Sequence, residues 1–226
     1  MTLRAEGVSR IYFRNTGEAN HFAAVQRTDL TLEAGKVTVL MGRSGSGKTT
    51  LLHMLAGLLS PTEGKVFLEG TDLYALEDRA LSRLRNERIG VIPQGRSAVE
   101  TLSVMENLLL PQMLYGSVTP AQRAEAAGWL ERMGIGALAD SSPRELSGGE
   151  LRRMALARAL WRRPAVILAD EPTGDLDDEN TRLALAALRE AAGAGAAVLL
   201  VTHENEAEKY ADVSYRMDAG RLTRAE

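Results

Sequence analysis

A glycine-rich stretch that follows a short apolar run carries the clearest chemistry in this sequence. Residues 42–49 read Gly-Arg-Ser-Gly-Ser-Gly-Lys-Thr, which matches the pattern G-x-x-x-x-G-K-[ST] in full. Glycines let successive backbone N–H groups turn toward phosphate oxygens, and a helix that starts there adds its positive dipole end. Lys48 suits the β- and γ-phosphates, and the Thr49 hydroxyl suits Mg²⁺. We therefore predict a nucleotide-phosphate site formed by Gly42, Ser44, Gly45, Ser46, Gly47, Lys48, Thr49 and Thr50.

Two carboxylates stand at the end of a second apolar run. Val166–Ala169 is followed at once by Asp170 and Glu171. Because nucleotides bind at the carboxyl ends of parallel strands, we expect Asp170 beside the phosphate loop, holding Mg²⁺ through its water shell. Glu171 is then placed to polarise an attacking water. Taken alone, the pattern is equally typical of a strand that ends in acidic surface residues.

A third candidate site opens a helical stretch and reads Leu146-Ser147-Gly148-Gly149-Glu150. Two glycines at a helix start expose backbone N–H groups, which makes a second anion-binding end in the same chain. One triphosphate does not need two such loops from one subunit, but a second copy of the chain could use its loop to close the first copy's site. The alternative is an ordinary helix cap, because serine commonly begins helices.

The elements that must position these residues alternate along the chain. Short runs that are apolar throughout are typical of parallel strands covered on both faces, and helical patterns lie between them, so we predict a doubly wound α/β fold. The predicted strands are Val37–Met41, Ile89–Ile92, Val166–Ala169 and Ala197–Val201. The predicted helices are Lys48–Leu58, Asp78–Asn86, Ser103–Leu114, Pro120–Met133 (with Thr119 as its cap), Gly148–Trp161 and Glu179–Ala192.

The N-terminal region has a different pattern. Leu3–Tyr12 and Phe22–Glu33 have strand character around a polar turn at Asn15–Asn20, in which we also place His21. With Gly64–Glu69 they are expected to form a small antiparallel sheet. His53 falls inside an apolar helix, where we interpret it as a packing residue.

Composition excludes several classes of protein. The 226 residues carry 27 basic and 30 acidic side chains, so there is no basic excess and nucleic acid is not an expected partner. Cysteine is absent, which excludes disulfides, thiolate metal sites and cysteine nucleophiles. No apolar run approaches the roughly 18 residues of a membrane span, and the first residues lack the apolar core of a secretory signal. We expect a soluble protein of a reducing compartment.

The order of the three motifs resembles the ATP-binding-cassette (ABC) ATPase family over nearly the whole chain. Leu146–Glu150 is similar to that family's LSGGQ signature, with Glu150 in the last position. Gln94 lies where the family has its Q-loop glutamine, Thr173–Asp177 is similar to the D-loop, and His203 matches the switch histidine. Tyr12 lies where an aromatic residue stacks on adenine. Alone, a glutamine after a strand indicates polar surface and a tyrosine near the N-terminus indicates packing; the ordered set indicates the family.

The resemblance implies a P-loop NTPase fold: a RecA-like parallel core, an antiparallel β subdomain (about 1–35 and 60–75) and a helical subdomain (95–150) within one domain, 1–226. It implies two chains head to tail around two ATP molecules, with Glu171 as general base and His203 as sensor of the γ-phosphate. Gln94 would act in catalysis and join Thr49 and Asp170 as metal ligands. The implied nucleotide contacts outside the phosphate loop are Tyr12, Ser147, Gly148, Gly149, Glu150 and Asp177.

Three positions depart from the family pattern. Arg152 stands where a glutamine is common after the signature, Pro93 replaces an aromatic residue before Gln94, and Asp175 stands where asparagine or alanine is frequent. None of the three removes a group that touches phosphate or metal.

The resemblance also implies a membrane partner. The 95–115 stretch, which begins with Gly95–Asn107, is similar to the surface that receives the coupling helix of a permease on a separate chain. Leu84–Gly90, Pro143–Glu145 and Thr173–Asp177 look like the branch for lipoprotein release, macrolide export and antimicrobial-peptide resistance. We therefore expect an ATPase subunit on the cytoplasmic face of a membrane, driving export or mechanical work.

Other classes of function stay open at this point. A soluble ABC ATPase of DNA repair or translation lacks support, because neither a long coiled coil nor a second cassette is present. A GTPase would need an N-K-x-D motif, which does not occur. An importer subunit and a module that binds nucleotide without hydrolysis are the remaining alternatives.

Overall fold

The larger of two β-sheets forms the centre of the molecule. The computed structural model describes residues 2–13, 21–95 and 97–225. Six strands lie in the order β10-β9-β3-β8-β7-β6, all parallel except β10, which runs antiparallel to β9. Their bounds are β3 Val37–Met41, β6 Ile89–Ile92, β7 Val166–Asp170, β8 Ala197–Thr202, β9 Val213–Asp218 and β10 Arg221–Arg224.

The strands at the centre of this sheet are fully buried. Every residue of β3, β7 and β8 is buried, as expected for parallel strands with helices on both faces. All four predicted parallel strands are confirmed, with β7 and β8 each one residue longer than predicted. Strands β9 and β10 were not predicted, because their residues are mostly polar and partly exposed and only Met217 is buried.

A four-stranded antiparallel sheet contains the N-terminal region, as predicted. Its order is β2-β1-β4-β5. The prediction for His21 was wrong, since it pairs with Phe13 as the first residue of β2. The predicted turn at Asn15–Asn20 lies outside the described residues. The bounds are β1 Leu3–Phe13, β2 His21–Leu32, β4 Glu63–Leu68 and β5 Thr71–Asp72.

Six α-helices correspond to the six predicted ones. They are α1 Lys48–Leu55, α2 Asp78–Arg88, α3 Val104–Met113, α4 Pro120–Arg132, α5 Gly148–Leu160 and α6 Asp178–Gly193. Thr119 caps α4 with Pro120 in the first turn, as predicted. Helix α1 ends three residues earlier than predicted, because Gly57 adopts a left-handed φ of 68° just beyond its end. Short 3₁₀ turns occupy Leu73–Ala75, Gly136–Leu138, Pro143–Glu145 and Asn205–Tyr210.

Two hydrophobic clusters pack against the two faces of the large sheet. Successive strand residues point to opposite faces, so Val39 and Ile167 belong to the cluster with α3–α6 while Leu40 and Leu168 pack with α1 and the antiparallel sheet. This sandwich fixes the carboxyl ends of the parallel strands along one edge. In the described part of the chain, no helix is long and apolar enough to span a membrane. The subdomain bounds given above stay a prediction.

Candidate functional site

A cavity of about 1080 Å³ opens at the carboxyl edge of the large sheet. The loops that follow β3, β6, β7 and β8 converge there, which is where a nucleotide binds in parallel α/β sheets. The structure thereby brings most of the predicted site residues into one pocket. The ones that line it are Tyr12, Ser44, Gly45, Ser46, Gly47, Lys48, Thr49, Thr50, Gln94, Asp170, Glu171 and His203.

Two glycines let the phosphate loop lie against neighbouring backbone. Gly47 has a left-handed φ of 105°, and a Cβ there would lie 2.1 Å from the carbonyl oxygen of Ala24 in β2. A Cβ on Gly42 would lie 2.3 Å from the carbonyl oxygen of Met217 in β9. No other residue type fits either position without moving a strand. Gly42 itself lines a smaller neighbouring cavity rather than the main pocket.

The phosphate loop holds a buried cation. Lys48 is only 7% exposed, and its Nζ donates to the carbonyl oxygens of Gly42 at 2.7 Å and Arg43 at 2.9 Å. Within the described residues it forms no ion pair. The buried Ser46 Oγ also has no hydrogen-bond partner there. A buried cation and an unsatisfied hydroxyl in one loop fit an anionic oxygen ligand, since both are costly to leave unpaired.

A hydrogen bond joins the phosphate loop to the end of β7. Thr49 Oγ1 donates to Asp170 Oδ2 at 2.7 Å, as the predicted proximity of the two residues requires. Asp170 is 2% exposed, and its burial raises the pKa of the carboxyl group although the Thr49 bond partly offsets this. A hydroxyl and a carboxylate oxygen side by side are the hard ligands that Mg²⁺ prefers.

Glu171 and His203 form a coupled acid–base pair at the pocket wall. His203 Nδ1 lies 2.9 Å from Glu171 Oε1, and Thr202 Oγ1 donates to Glu171 Oε2 at 3.4 Å. The hydrogen bond and charge of Glu171 raise the pKa of His203. Glu171 also has a left-handed φ of 49°, a strained backbone that few of the described non-glycine residues adopt. The geometry holds a carboxylate in a fixed direction, as a general base requires.

The far end of the pocket is aromatic. The rings of Tyr12 and Phe22 stack at a centroid distance of 5.7 Å, and the Arg10 guanidinium lies 4.8 Å from the Tyr12 ring centroid. Phe22 lines the pocket but was not among the predicted site residues. Its position directly opposite Tyr12 in the β1–β2 pair could be found only once the hairpin register was known.

The signature residues lie outside this pocket. Ser147 caps α5: Glu150 N donates to Ser147 Oγ at 3.3 Å, while Ser147 N and Oγ both donate to Glu150 Oε2 at 2.7 Å. These bonds lower the pKa of Glu150. A Cβ on Gly149 would lie 3.4 Å from Leu176, so the helix start packs on the D-loop of its own chain.

Asp177 likewise has a local role. Its Oδ1 accepts from Asn180 N at 2.8 Å as the cap of α6, and it does not line the pocket, whereas Asp175 does. One chain thus brings together the phosphate loop, the predicted metal ligands and the predicted general base, but not Asp177 or the signature residues. The residues of that second group are Ser147, Gly148, Gly149, Glu150 and Asp177.

Comparison with known proteins gives consistent matches. Residues 25–174 match the family model described as ABC transporter. The lipoprotein-releasing system ATP-binding protein LolD of Shewanella denitrificans is 36% identical over 225 residues, 99% of this chain and 95% of that protein. LolD of Aquifex aeolicus is 34% identical over 220 residues, 97% of this chain and 95% of that protein.

Solved structures match over the same length. The cassette MJ0796, in a dimeric post-hydrolysis state bound to ADP and Pi, superposes with a TM-score of 0.90 at 29% identity, covering 99% of both chains. A structure described as an ATP-binding subunit of an ABC transporter has a TM-score of 0.85 at 23% identity, covering 100% of this chain and 90% of that one.

Proposed function

This chain belongs to the ABC transporter family, and we propose that it closes around ATP with a second copy of itself to move a separate membrane permease. The family resemblance inferred from motif order is confirmed, as is the P-loop fold. The chain is an ATP-binding and ATP-hydrolysing subunit. The assignment of individual residues to steps, the metal ion and the membrane partner's cargo are proposals.

The bond between Thr49 and Asp170 is the observation that carries the proposed chemistry. It places the phosphate loop and the carboxyl end of β7 at one point of the pocket, beside the buried ammonium of Lys48. We propose that Lys48 binds the β- and γ-phosphates. Mg²⁺ held by Thr49, Asp170 and Gln94 would neutralise charge on the phosphates when bound.

Glu171 is the proposed general base. Its carboxylate lines the pocket and is oriented at both oxygens, Oε1 by His203 Nδ1 and Oε2 by the Thr202 hydroxyl. Glu171 takes the proton of the attacking water, and His203, whose raised pKa favours the charged form, stabilises the negative charge that develops near it. Tyr12 provides the ring on which adenine stacks, a contact of about 1–3 kcal/mol by analogy with nucleic-acid bases.

A second copy supplies the residues that one chain leaves away from its pocket. We propose that Ser147, Gly148 and Gly149 of the partner approach the γ-phosphate, with Glu150 and Asp177 nearby. At the start of α5 the Gly148 and Gly149 amides have no acceptor among the described residues. The dimeric state described for MJ0796 supports this arrangement.

Substitution of the base tests the mechanism. Glu171→Gln should lower the steady-state ATPase rate by about 100-fold or more, because proton transfer is lost. ATP binding should survive, so the variant should elute as an ATP-dependent dimer in size-exclusion chromatography. Glu179→Gln, an exposed glutamate in the first turn of α6, is the control and should behave as wild type. A Glu171→Gln chain with wild-type turnover would refute the assignment.

The proposed permease surface follows Gln94. The 95–115 stretch exposes four large apolar side chains: Val99, Met113 at the end of α3, Tyr115 and, at 66% exposure, Leu114. Arg96 of this stretch lies outside the described residues. Because the matched relatives are named for lipoprotein release, we propose that the chain sits on the cytoplasmic face of a membrane and serves a lipoprotein-releasing permease.

A charge in the apolar surface tests the permease contact. Leu114→Glu should leave the ATPase rate of the isolated chain unchanged, because Leu114 lies away from the pocket. It should abolish the extra ATPase activity measured with the membrane subunit in lipid vesicles. Leu58→Glu, equally apolar and exposed but outside this surface, is the matched control. Equal stimulation of both variants would contradict the proposed surface.

A further inference from the structure

The positions at which this chain departs from the family pattern meet at one place. Arg152, on the second turn of α5, donates from Nη1 to the carbonyl oxygen of Pro93 at 2.8 Å. Arg152 and Asp175 line the nucleotide pocket together with Gln94. A Cβ on Gly174 would lie 3.9 Å from Arg152 Nη2. The signature helix therefore reaches both the residue before Gln94 and the loop before α6.

The two neighbours of Gln94 differ: the Pro93 carbonyl is hydrogen-bonded, whereas Gly95 has open space beside it. Strand β6 ends at Ile92, and the Pro93 ring restricts its own φ and removes its N–H donor. The Pro93 carbonyl is held by Arg152. On the other side Gly95 has a left-handed φ of 83°, and a Cβ there would touch nothing within 4 Å. Among the described residues, the hydrogen bond at Pro93 therefore anchors the backbone on one side of Gln94, while Gly95 has open space on the other.

The Arg152–Pro93 bond is buried and charge-assisted. Arg152 is 7% exposed, and within the described residues its guanidinium forms no ion pair. A guanidinium in that environment binds a carbonyl oxygen more strongly than a neutral donor does. Removing the donor would leave the Pro93 carbonyl without this partner and allow the start of the loop to move.

We propose that Arg152 is a positioning residue that sets the location of Gln94 according to the location of the signature helix. Arg152 follows Ser147 by about one and a half helical turns, so displacement of the α5 start pulls on Pro93 directly. The inference rests on the proposed role of Gln94 at the metal and phosphate. The hydrogen bond from Arg152 to the Pro93 carbonyl then links the signature helix to Gln94.

Arg158 provides a matched control on the same helix and the same loop. Its Nη1 donates to the Ser97 carbonyl oxygen at 2.9 Å and its Nη2 to Ser97 Oγ at 2.6 Å. It is also an arginine that binds a loop carbonyl, but Ser97 lies beyond Gly95. Loss of the Arg158 contact should therefore loosen the later part of the loop and leave Gln94 in place.

The experiment compares Arg152→Met, Arg152→Lys and Arg158→Met. Arg152→Met should lower kcat about ten-fold with KM for ATP within about two-fold, because Gln94 is displaced while the phosphate loop is intact. Arg152→Lys, which keeps one donor, should recover most of kcat, and Arg158→Met should keep it. Without nucleotide, hydrogen exchange of the Gln94 and Gly95 amides should be faster in Arg152→Met alone. Equal kcat losses in Arg152→Met and Arg158→Met would overturn the proposal.

A double-mutant cycle separates this inference from the proposed function. Arg152→Met should have no further effect in a Gln94→Ala background, because the two residues act as a unit. Additive losses of kcat in the double variant would overturn the proposed link between Arg152 and Gln94. Full kcat in Gln94→Ala would overturn the role of Gln94 and the inference with it, whereas loss of kcat in Gln94→Ala beside a fully active Arg152→Met would overturn the inference alone. If Arg152→Met does not fold, Arg152→Gln, whose shorter side chain holds its donor farther from Pro93, replaces it in the cycle.

Discussion

Helices α1 and α5 both begin in glycine-rich loops, but their N-termini are in different states. Gly47 precedes α1 with no side-chain cap and no acidic residue in the first turn, and the neighbouring Ser46 Oγ is unbonded in the described structure. Ser147 caps α5 in a complete capping box, and Glu150 of the first turn supplies a carboxylate. The first helix start is open to an anion, while the second already has one of its own.

This difference indicates that the N-termini of α1 and α5 have different roles in the reaction. The loop before α1 offers a preformed site, because the buried cation of Lys48 and the unbonded Ser46 hydroxyl belong to residues that line the pocket. The start of α5 can approach phosphate only against the charge of Glu150, which reduces the attraction of the helix dipole for a second anion. We therefore expect α1 to determine nucleotide affinity and α5 to determine whether the bound state proceeds to hydrolysis.

Among substitutions at the two helix starts, the largest effect is expected from removing the cation at α1. Lys48→Ala should weaken ATP binding by at least about 30-fold, because a buried charge contact to phosphate is lost. The measurement is the Kd for a fluorescent ATP analogue by titration. Lys36→Ala, an exposed lysine paired with Glu33, is the control and should bind normally. Unchanged affinity in Lys48→Ala would remove the distinction between the two helix starts.

A mixing experiment sharpens the same comparison. Ser147→Ala should bind ATP normally but hydrolyse it about ten-fold more slowly, because its defect lies in the partner's site. Mixed with Lys48→Ala chains, it forms hybrid dimers with one intact phosphate loop facing one intact signature, and about a quarter of the wild-type ATPase rate should return. A mixture no more active than its components would contradict the head-to-tail dimer.

The two serines allow the same substitution at both helix starts. Ser147→Ala should lower the free energy of unfolding by about 1 kcal/mol, since it removes a helix cap. Ser46→Ala should leave it unchanged or raise it slightly, because the buried hydroxyl has no hydrogen-bond partner among the described residues. Urea unfolding without nucleotide measures both. Equal destabilisation would mean that the start of α1 is capped after all.

The smallest effect is expected at Glu150. Glu150→Gln should tighten ATP-dependent dimerisation about two- to three-fold, because the competing charge at α5 is removed. The same variant should unfold more easily above the ordinary carboxylate pKa, and this difference should vanish as pH falls through the lowered pKa of Glu150, where the wild-type carboxyl group is protonated too.

The matched control for Glu150 lies at the start of α3. Glu106→Gln disrupts an equivalent capping box with Ser103, away from the nucleotide pocket. It should reproduce the stability change without the change in dimerisation, which analytical ultracentrifugation measures. A tighter dimer in Glu106→Gln would show that capping, and not local charge, is responsible.

Much of the fold was predictable because burial on both faces leaves a continuous apolar pattern. Val37–Met41 and Ile89–Ile92 were predicted with their observed bounds for this reason. Strand β9 was not, because it lies second from the edge of the sheet, between β3 and β10, where exposed polar residues such as Arg216 alternate with Met217. Strands near the edge of a sheet contain less hydrophobic signal than central ones.

The contacts within the site also differ in whether the sequence predicts them. Contacts within one loop, and between strand ends that share an edge, follow from motif and topology, as Thr49 and Asp170 demonstrate. Contacts made by long side chains across the molecule cannot be predicted from motif or topology. Arg152 was recognised only as an unusual residue, since its bond to Pro93 joins positions 59 residues apart and depends on how α5 packs beside β6. Phe22 was missed because its role depends on strand register.

The left-handed backbone of Glu171 has a thermodynamic consequence. Glycine would adopt that φ without steric penalty, whereas a glutamate there costs on the order of 1 kcal/mol. Glycine in place of this proposed proton acceptor would remove that steric cost, and we expect it to abolish turnover. For this protein, mutational screens that reward heat resistance alone are therefore expected to favour inactive variants at the proposed general base.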